Sequence, residues 1–256
     1  MFIGRCARID IVGYQTQGYA NDGYSICAAS FAPISGAAKL GDITPGEDFC
    51  ESMLCFLTKT GANAKTNFGG KNVNMSYVYW TADDEPGDGA GWYLYADEDA
   101  TVNCNDVELP YGDGFLVYRM ASETDATLTY SGQVSTTPVT KEFVQDGYTA
   151  CGNCTPVQIK LGDITPNEDF SESMICFMTK TGANAKTDFG GKSVNQSFVY
   201  WTADDEPGDG AGWYLYADED ATVNYNELIT LEAGQGFMVY RMASEPDAQI
   251  TIPAAL

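Results

Sequence analysis

The sequence predicts an all-β protein made of two tandem homologous domains, each a β-sandwich or barrel-like unit. Two observations carry that expectation. One stretch of the chain is repeated almost word for word, and short runs of aromatic and β-branched residues alternate with Gly, Asp and Pro turns while helical periodicity stays weak.

The repeat is the stronger signal. Lys39-Leu40-Gly41-Asp42-Ile43-Thr44-Pro45 returns 121 positions later as Lys160-Leu161-Gly162-Asp163-Ile164-Thr165-Pro166. Ser76 to Asn103 recurs as Ser197 to Asn224 with one change, Tyr77 to Phe198. After one inserted residue, Gly114-Phe115-Leu116-Val117-Tyr118-Arg119-Met120 returns as Gly236-Phe237-Met238-Val239-Tyr240-Arg241-Met242. This period is far longer than a solenoid repeat, so each copy reads as a whole domain. The boundaries expected are 14–132 and 133–256, preceded by a segment 1–13.

That segment has its own reading. Ala7-Arg8-Ile9-Asp10-Ile11-Val12-Gly13 follows the pattern of the two domain ends, Ala126-Thr127-Leu128-Thr129-Tyr130-Ser131-Gly132 and Ala248-Gln249-Ile250-Thr251-Ile252-Pro253-Ala254. The chain thus opens on what looks like the closing strand of a missing repeat, with Ala7, Ile9 and Ile11 on one face. An orphan strand recruits partners, so strand addition between copies of this chain is expected. A rival origin is excision from a longer repetitive precursor.

Further along, Glu47 to Leu57 fits one short helix or a strand. Ser76-Tyr77-Val78-Tyr79-Trp80-Thr81 and Trp92-Tyr93-Leu94-Tyr95 read as a hairpin around a long acidic loop, and Gly114 to Tyr118 with Thr127 to Tyr130 as another strand pair.

Eight cysteines are constrained by the repeat. Cys50 and Cys104 are both replaced in the second copy, by Ser171 and Tyr225, as expected of one disulfide. Cys27 matches Cys151 and Cys55 matches Cys176, giving Cys27–Cys55 and Cys151–Cys176. Cys6 and Cys154 remain to tie the N-terminal segment to the second domain or to a neighbour. Formed bonds imply an oxidising compartment. The alternative is that Cys27, Cys55, Cys151 and Cys176 are buried thiols acting as small hydrophobes. Cys151-Gly152-Asn153-Cys154 has redox-motif spacing without the βαβ setting that motif needs, and Asn153-Cys154-Thr155 has the form of a glycosylation triplet.

Charge and composition narrow the function. Lys+Arg 13 against Asp+Glu 36 gives a net charge of −23, which repels nucleic acid and anionic membranes. No apolar run spans a bilayer, so membrane insertion is not expected. Met1-Phe2-Ile3-Gly4-Arg5 is too short for a secretory leader, so an extracellular placement supposes a leader already removed. Histidine is absent, which excludes Ser-His-Asp and Cys-His catalysis and His-based metal sites.

No cofactor is expected apart from Ca²⁺. Asp83, Asp84, Glu85 and Asp88, with Asp204, Asp205, Glu206 and Asp209, are its candidate ligands, since Ca²⁺ accepts several oxygens in flexible geometry. Lys59, Lys65 and Lys71, repeated as Lys180, Lys186 and Lys192, mark a basic loop; if it lies opposite the acidic one, stacked copies attract. Trp80, Trp92, Tyr93 and Tyr95 suggest a sugar platform if Trp92 or Trp213 is exposed, although their alternation points to core packing.

These readings converge on a non-enzymatic structural subunit of an extracellular filament, sheath or surface assembly, polymerising with copies of itself. The alternatives are a viral fibre, tail or capsid-decoration protein, and a tandem carbohydrate-binding module.

Overall fold

The structure, a computed structural model, describes residues 11–19, 23–46, 49, 52–59, 71–120, 126–143, 147–167, 170, 173–180, 192–205, 207–242, 244 and 248–255. Regular structure there consists of strands and of 3-10 turns three residues long, so the all-β expectation holds.

The first half contributes β1 (Val12–Tyr19), β2 (Gly23–Ala28), β3 (Ala38–Lys39), β4 (Ile43–Pro45), β5 (Met53–Lys59), β6 (Lys71–Trp80), β7 (Gly91–Leu94), β8 (Glu108–Leu109), β9 (Gly114–Arg119) and β10 (Ala126–Gln133). The second half repeats the series as β11 (Val139–Phe143), β12 (Gly147–Gly152), β13 (Ile159–Lys160), β14 (Thr165–Pro166), β15 (Met174–Lys180), β16 (Lys192–Trp201), β17 (Gly212–Leu215), β18 (Thr230–Leu231), β19 (Gly236–Arg241) and β20 (Ala248–Ile252).

Topology repeats with the sequence. A five-stranded sheet ordered β2-β9-β5-β6-β7 recurs as β12-β19-β15-β16-β17, and a three-stranded sheet β1-β10-β4 recurs as β11-β20-β14. Each half also has a two-stranded ladder, β3-β8 and β13-β18. The β6–β7 hairpin pairs as its sequence predicts, and within Glu47 to Leu57 the residues from Met53 on belong to the strand β5, while Glu47, Asp48, Cys50 and Glu51 lie outside the described residues. The expected pairing of Gly114–Tyr118 with Thr127–Tyr130 is corrected. β9 pairs with β2 and β5, whereas β10 pairs with β1 and β4. Neighbours in sequence here cross between sheets, as in a sandwich.

Alternation explains which residues make the core. Along β10 the buried positions are Ala126, Leu128, Tyr130 and Gly132, and the first three meet Leu54, Phe115 and Val117 from the five-stranded sheet. The second half closes the same way, with Ile250 and Ile252 against Ile175, Phe237 and Val239. The runs Gly114-Phe115-Leu116-Val117 and Gly236-Phe237-Met238-Val239 are buried throughout. Continuous burial means that both faces of the strand are covered. The second face is covered by the other half: Ile26, Cys55 and Leu116 pack on Ala150, Cys176 and Met238. The four larger sheets therefore stack in layers, with an apolar core between each successive pair.

At this seam the backbones come close. An antiparallel bridge joins Cys27 to Gln235, and its counterpart joins Asp113 to Cys151. A Cβ on Gly114 would lie 2.6 Å from the Cys151 nitrogen, and one on Gly236 would lie 2.5 Å from the Cys27 nitrogen. Glycine is required at both positions by close approach.

Candidate functional site

β1 is the edge of its sheet, and its hydrogen bonding shows which groups are free. Val134 N–H donates to the Ile11 carbonyl at 2.8 Å, and in an antiparallel ladder bonded and non-bonded pairs alternate. Gly13, Gln15, Gln17 and Tyr19 thus bond to β10, while Val12, Tyr14, Thr16 and Gly18 point their backbone groups outward. Among the described residues no strand pairs with that edge. The same four residues have exposed side-chain positions; Val12 is 59% and Tyr14 77% exposed.

Of the expected assembly strand, Ala7 and Ile9 lie outside the described residues. Ile11 is half exposed, and its carbonyl is engaged within the chain. Val12 and Gly13, assigned to the segment 1–13, belong to β1, which continues from Tyr14 to Tyr19 and pairs with β10 over its whole length.

The second half has a different edge. Asn167 and Gln249 exchange hydrogen bonds, Asn167 N–H to the Gln249 carbonyl and Gln249 N–H to Asn167 Oδ1. Gln249 thus faces β14, so its opposite number Glu142, and by alternation Thr140, point outward from β11. The position before them is Pro138, which has no N–H. Tyr19 lies opposite Ala126 and Phe143 opposite Ala248, so Pro138 stands where β1 has Tyr14, and Glu142 where it has Gly18. Pro and charge on a short strand are the usual protection of a sheet edge. β1 has neither.

The acidic loops serve their own turns. Asp84 Oδ2 accepts the Thr81 N–H and hydroxyl, both at 2.7 Å, capping the 3-10 turn Ala82–Asp84. Asp205 does the same for Thr202. Asp97 and Asp218 each accept two backbone N–H groups of the following turn, and the bonds from Thr222 hold the Asp218 carboxyl below its usual range. Among the described residues no three Asp, Glu or Cys side chains gather in metal-binding geometry. Of the expected Ca²⁺ ligands Asp83, Asp84, Glu85, Asp88, Asp204, Asp205, Glu206 and Asp209, the carboxylates of Asp84 and Asp205 are engaged by their own turns; Glu206 lies outside the described residues. Of the basic loop, Lys65 and Lys186 lie outside too. Its strand ends Lys59 and Lys71 pair at the far end of β6 from the acidic turn. Ten residues of strand, about 33 Å, separate the two.

The cysteine pairing is corrected as well. Cys27, Cys55, Cys104, Cys151, Cys154 and Cys176 are free and buried. Cys27 lies opposite Phe115 and Cys55 opposite Leu116, on strands to either side of β9. Adjacent residues of β9 face opposite ways, so Cys27 enters the first-half core and Cys55 the seam. Cys151 and Cys176 are separated in the same way by Phe237 and Met238. Burial pushes the thiols of Cys55, Cys154 and Cys176 up to about 11 and that of Cys27 up to about 12. They behave as small hydrophobes. Cys6 and Cys50 lie outside the described residues.

Of the expected sugar platform, Trp92 offers no exposed face, and neither does its counterpart Trp213. Trp92 and Trp213 are fully buried, and their Nε1–H groups donate to the carbonyls of Ile43 and Ile164. Asn153 is also fully buried, so its triplet is no glycosylation acceptor in the folded chain.

Sequence reading missed one feature, a cavity of about 260 Å³ in the first half at the seam. Ala29, Ala38, Phe56, Val107 and Leu109 wall it, and Thr149 and Ala150 of the second half close one side. No protein-family model matches the chain, and no curated protein or solved structure matches it.

Proposed function

We propose that the two halves are tandem homologous β-sandwich domains and that the protein is a structural subunit assembling with copies of itself in an extracellular filament, sheath or surface layer. The observation that carries this reading is the edge of β1, which presents eight uncharged residues and four outward backbone N–H groups with no strand paired to them among the described residues. The donor strand in this reading is the alternating segment Ala7–Ile11 of a second copy. The acidic and basic ends of β6 support head-to-tail order, since opposite charges at opposite ends set register. Free buried thiols favour a second reading, a fibre, tail or capsid-decoration protein assembled in a reducing cytoplasm.

The test transplants the protected edge. The double substitution Tyr14→Pro, Gly18→Glu places on β1 what β11 already carries. Assembly is followed by sedimentation and negative-stain electron microscopy, with circular dichroism as a check on the fold. Folded monomers are the expected outcome; assemblies identical to those of the unaltered chain would reject the reading.

A further inference from the structure

The cavity described above is hollow only because the first half carries small residues where the second carries large ones. Ala38 lies opposite Leu109 in the β3–β8 ladder, and the same ladder position in the second half is Ile159 opposite Leu231. Ala29 corresponds to Asn153, whose Nδ2 donates to the carbonyls of Val157, Leu231 and Glu232 at 2.7, 3.3 and 3.0 Å. Leu231 and Glu232 are the counterparts of Leu109 and Pro110, both of which line the cavity. Asn153 therefore plugs the space that Ala29 leaves open. Tyr225 packs its ring 5.2 Å from that of Phe198, whereas in the first half the corresponding pair is the Cys104 thiol and Tyr77. Burial agrees: Leu231, Asn153 and Phe177 are buried, while Leu109, Ala29 and Phe56 are half-buried.

The chemistry of the walls specifies the guest. Aliphatic and aromatic groups dominate, and apolar cavities of about 150 Å³ already accept a benzene-sized molecule. Glu108 and Asp113 sit on the lining, the latter ion-paired with Lys141. Two carboxylates on a chain of net charge −23 disfavour anions.

We propose that this cavity is a binding site for a small neutral or cationic molecule built on one aromatic ring, seated between Ala38, Leu109 and Phe56 with its polar group toward Glu108. Asn153 and Ile159 deny such a molecule the equivalent place in the second half, so the stoichiometry is one per chain.

Isothermal titration calorimetry with indole, benzylamine and benzoate tests this, together with amide chemical shifts at Val107, Leu109 and Ala150. Saturable binding of indole or benzylamine at one site, with shifts at those amides and benzoate weaker by about tenfold, is expected. Ala38→Ile, the residue the second half uses, should weaken binding by at least about tenfold at an unchanged fold. Absence of saturable binding by all three probes, or shifts confined to other amides, would overturn the proposal. So would undiminished binding by folded Ala38→Ile protein.

Discussion

β1 and β11 occupy the same place in two copies of one sheet, yet one is an open edge and the other a closed one. Tyr14 and Gly18 leave the β1 backbone accessible, whereas Pro138 and Glu142 remove a donor and add a charge. The cavity follows the same division, since Ala29 and Ala38 keep open what Asn153 and Ile159 fill. The two halves thus share the pairing of their strands and the make-up of their cores, and they differ at an edge and in one pocket. A third difference lies in the core. Tyr19 and Tyr130 share a 2.6 Å hydrogen bond, with the Tyr130 hydroxyl 3.7 Å from the Cys27 sulfur; the corresponding second-half residues are Phe143 and Ile252.

At the seam the backbones of the two halves approach closely, and changes there should have the largest effect. Gly114→Ala and Gly236→Ala each drive a methyl into the backbone of the other half. Each should destabilise by about 3 kcal/mol in urea unfolding. A large loss for one and none for the other would break the symmetry of the seam.

The cavity predicts opposite signs for reciprocal changes. Ile159→Ala should cost about 3 kcal/mol by opening a hole in a filled site. Ala38→Ile should raise stability by about 1 kcal/mol by filling one. Equal destabilisation by both would mean that the first-half space is not available to a larger side chain.

Buried thiols make stability depend on alkaline pH. In the unfolded chain a thiol ionises near 9.0, whereas folded Cys55, Cys154 and Cys176 hold their protons to about 11 and Cys27 to about 12. Between those values the unfolded state binds fewer protons. Stability is therefore fully present below pH 9 and falls as pH rises through the window, by about 1.4 kcal/mol per thiol per pH unit. Urea midpoints measured from pH 8 to 11 check the slope, and a flat profile would contradict it. Native protein at pH 8 should also resist alkylation at these four cysteines.

The smallest effect concerns the tyrosine pair. Tyr19→Phe copies Phe143 and leaves the Tyr130 hydroxyl with only the Cys27 sulfur, at a cost of about 1 kcal/mol by thermal unfolding. Phe143→Tyr should cost more, because Ile252 offers its new hydroxyl no partner.

Much of the fold was legible because repetition and alternation act locally. The β6–β7 hairpin and the central strands followed from Trp80, Trp92 and the run Gly114–Arg119. What escaped depended on strand order. Cys27 and Cys55 look like partners until β9 is placed between them and turns them to opposite faces. The acids at Asp84 and Asp205 look like ligands until Thr81 and Thr202, three residues before each, are seen as their partners; that spacing was present in the sequence. The boundary at residue 13 follows from the likeness of Ala7–Gly13 to the two domain ends, a pattern that does not show the strand running from Val12 to Tyr19. The cavity also left a trace, the size changes Ala38 to Ile159 and Ala29 to Asn153, but only the folded chain brings Ala29 and Ala38 to one space.

The central claim is that the open edge of β1 joins copies of this chain. Sedimentation of the unaltered protein beside Tyr14→Pro, Gly18→Glu, at matched concentration and with unfolding midpoints within a few degrees, tests it most directly. The account predicts concentration-dependent assemblies for the first and folded monomers for the second. Assemblies that persist unchanged in the double variant, or an unaltered chain that stays monomeric at every concentration, would contradict it.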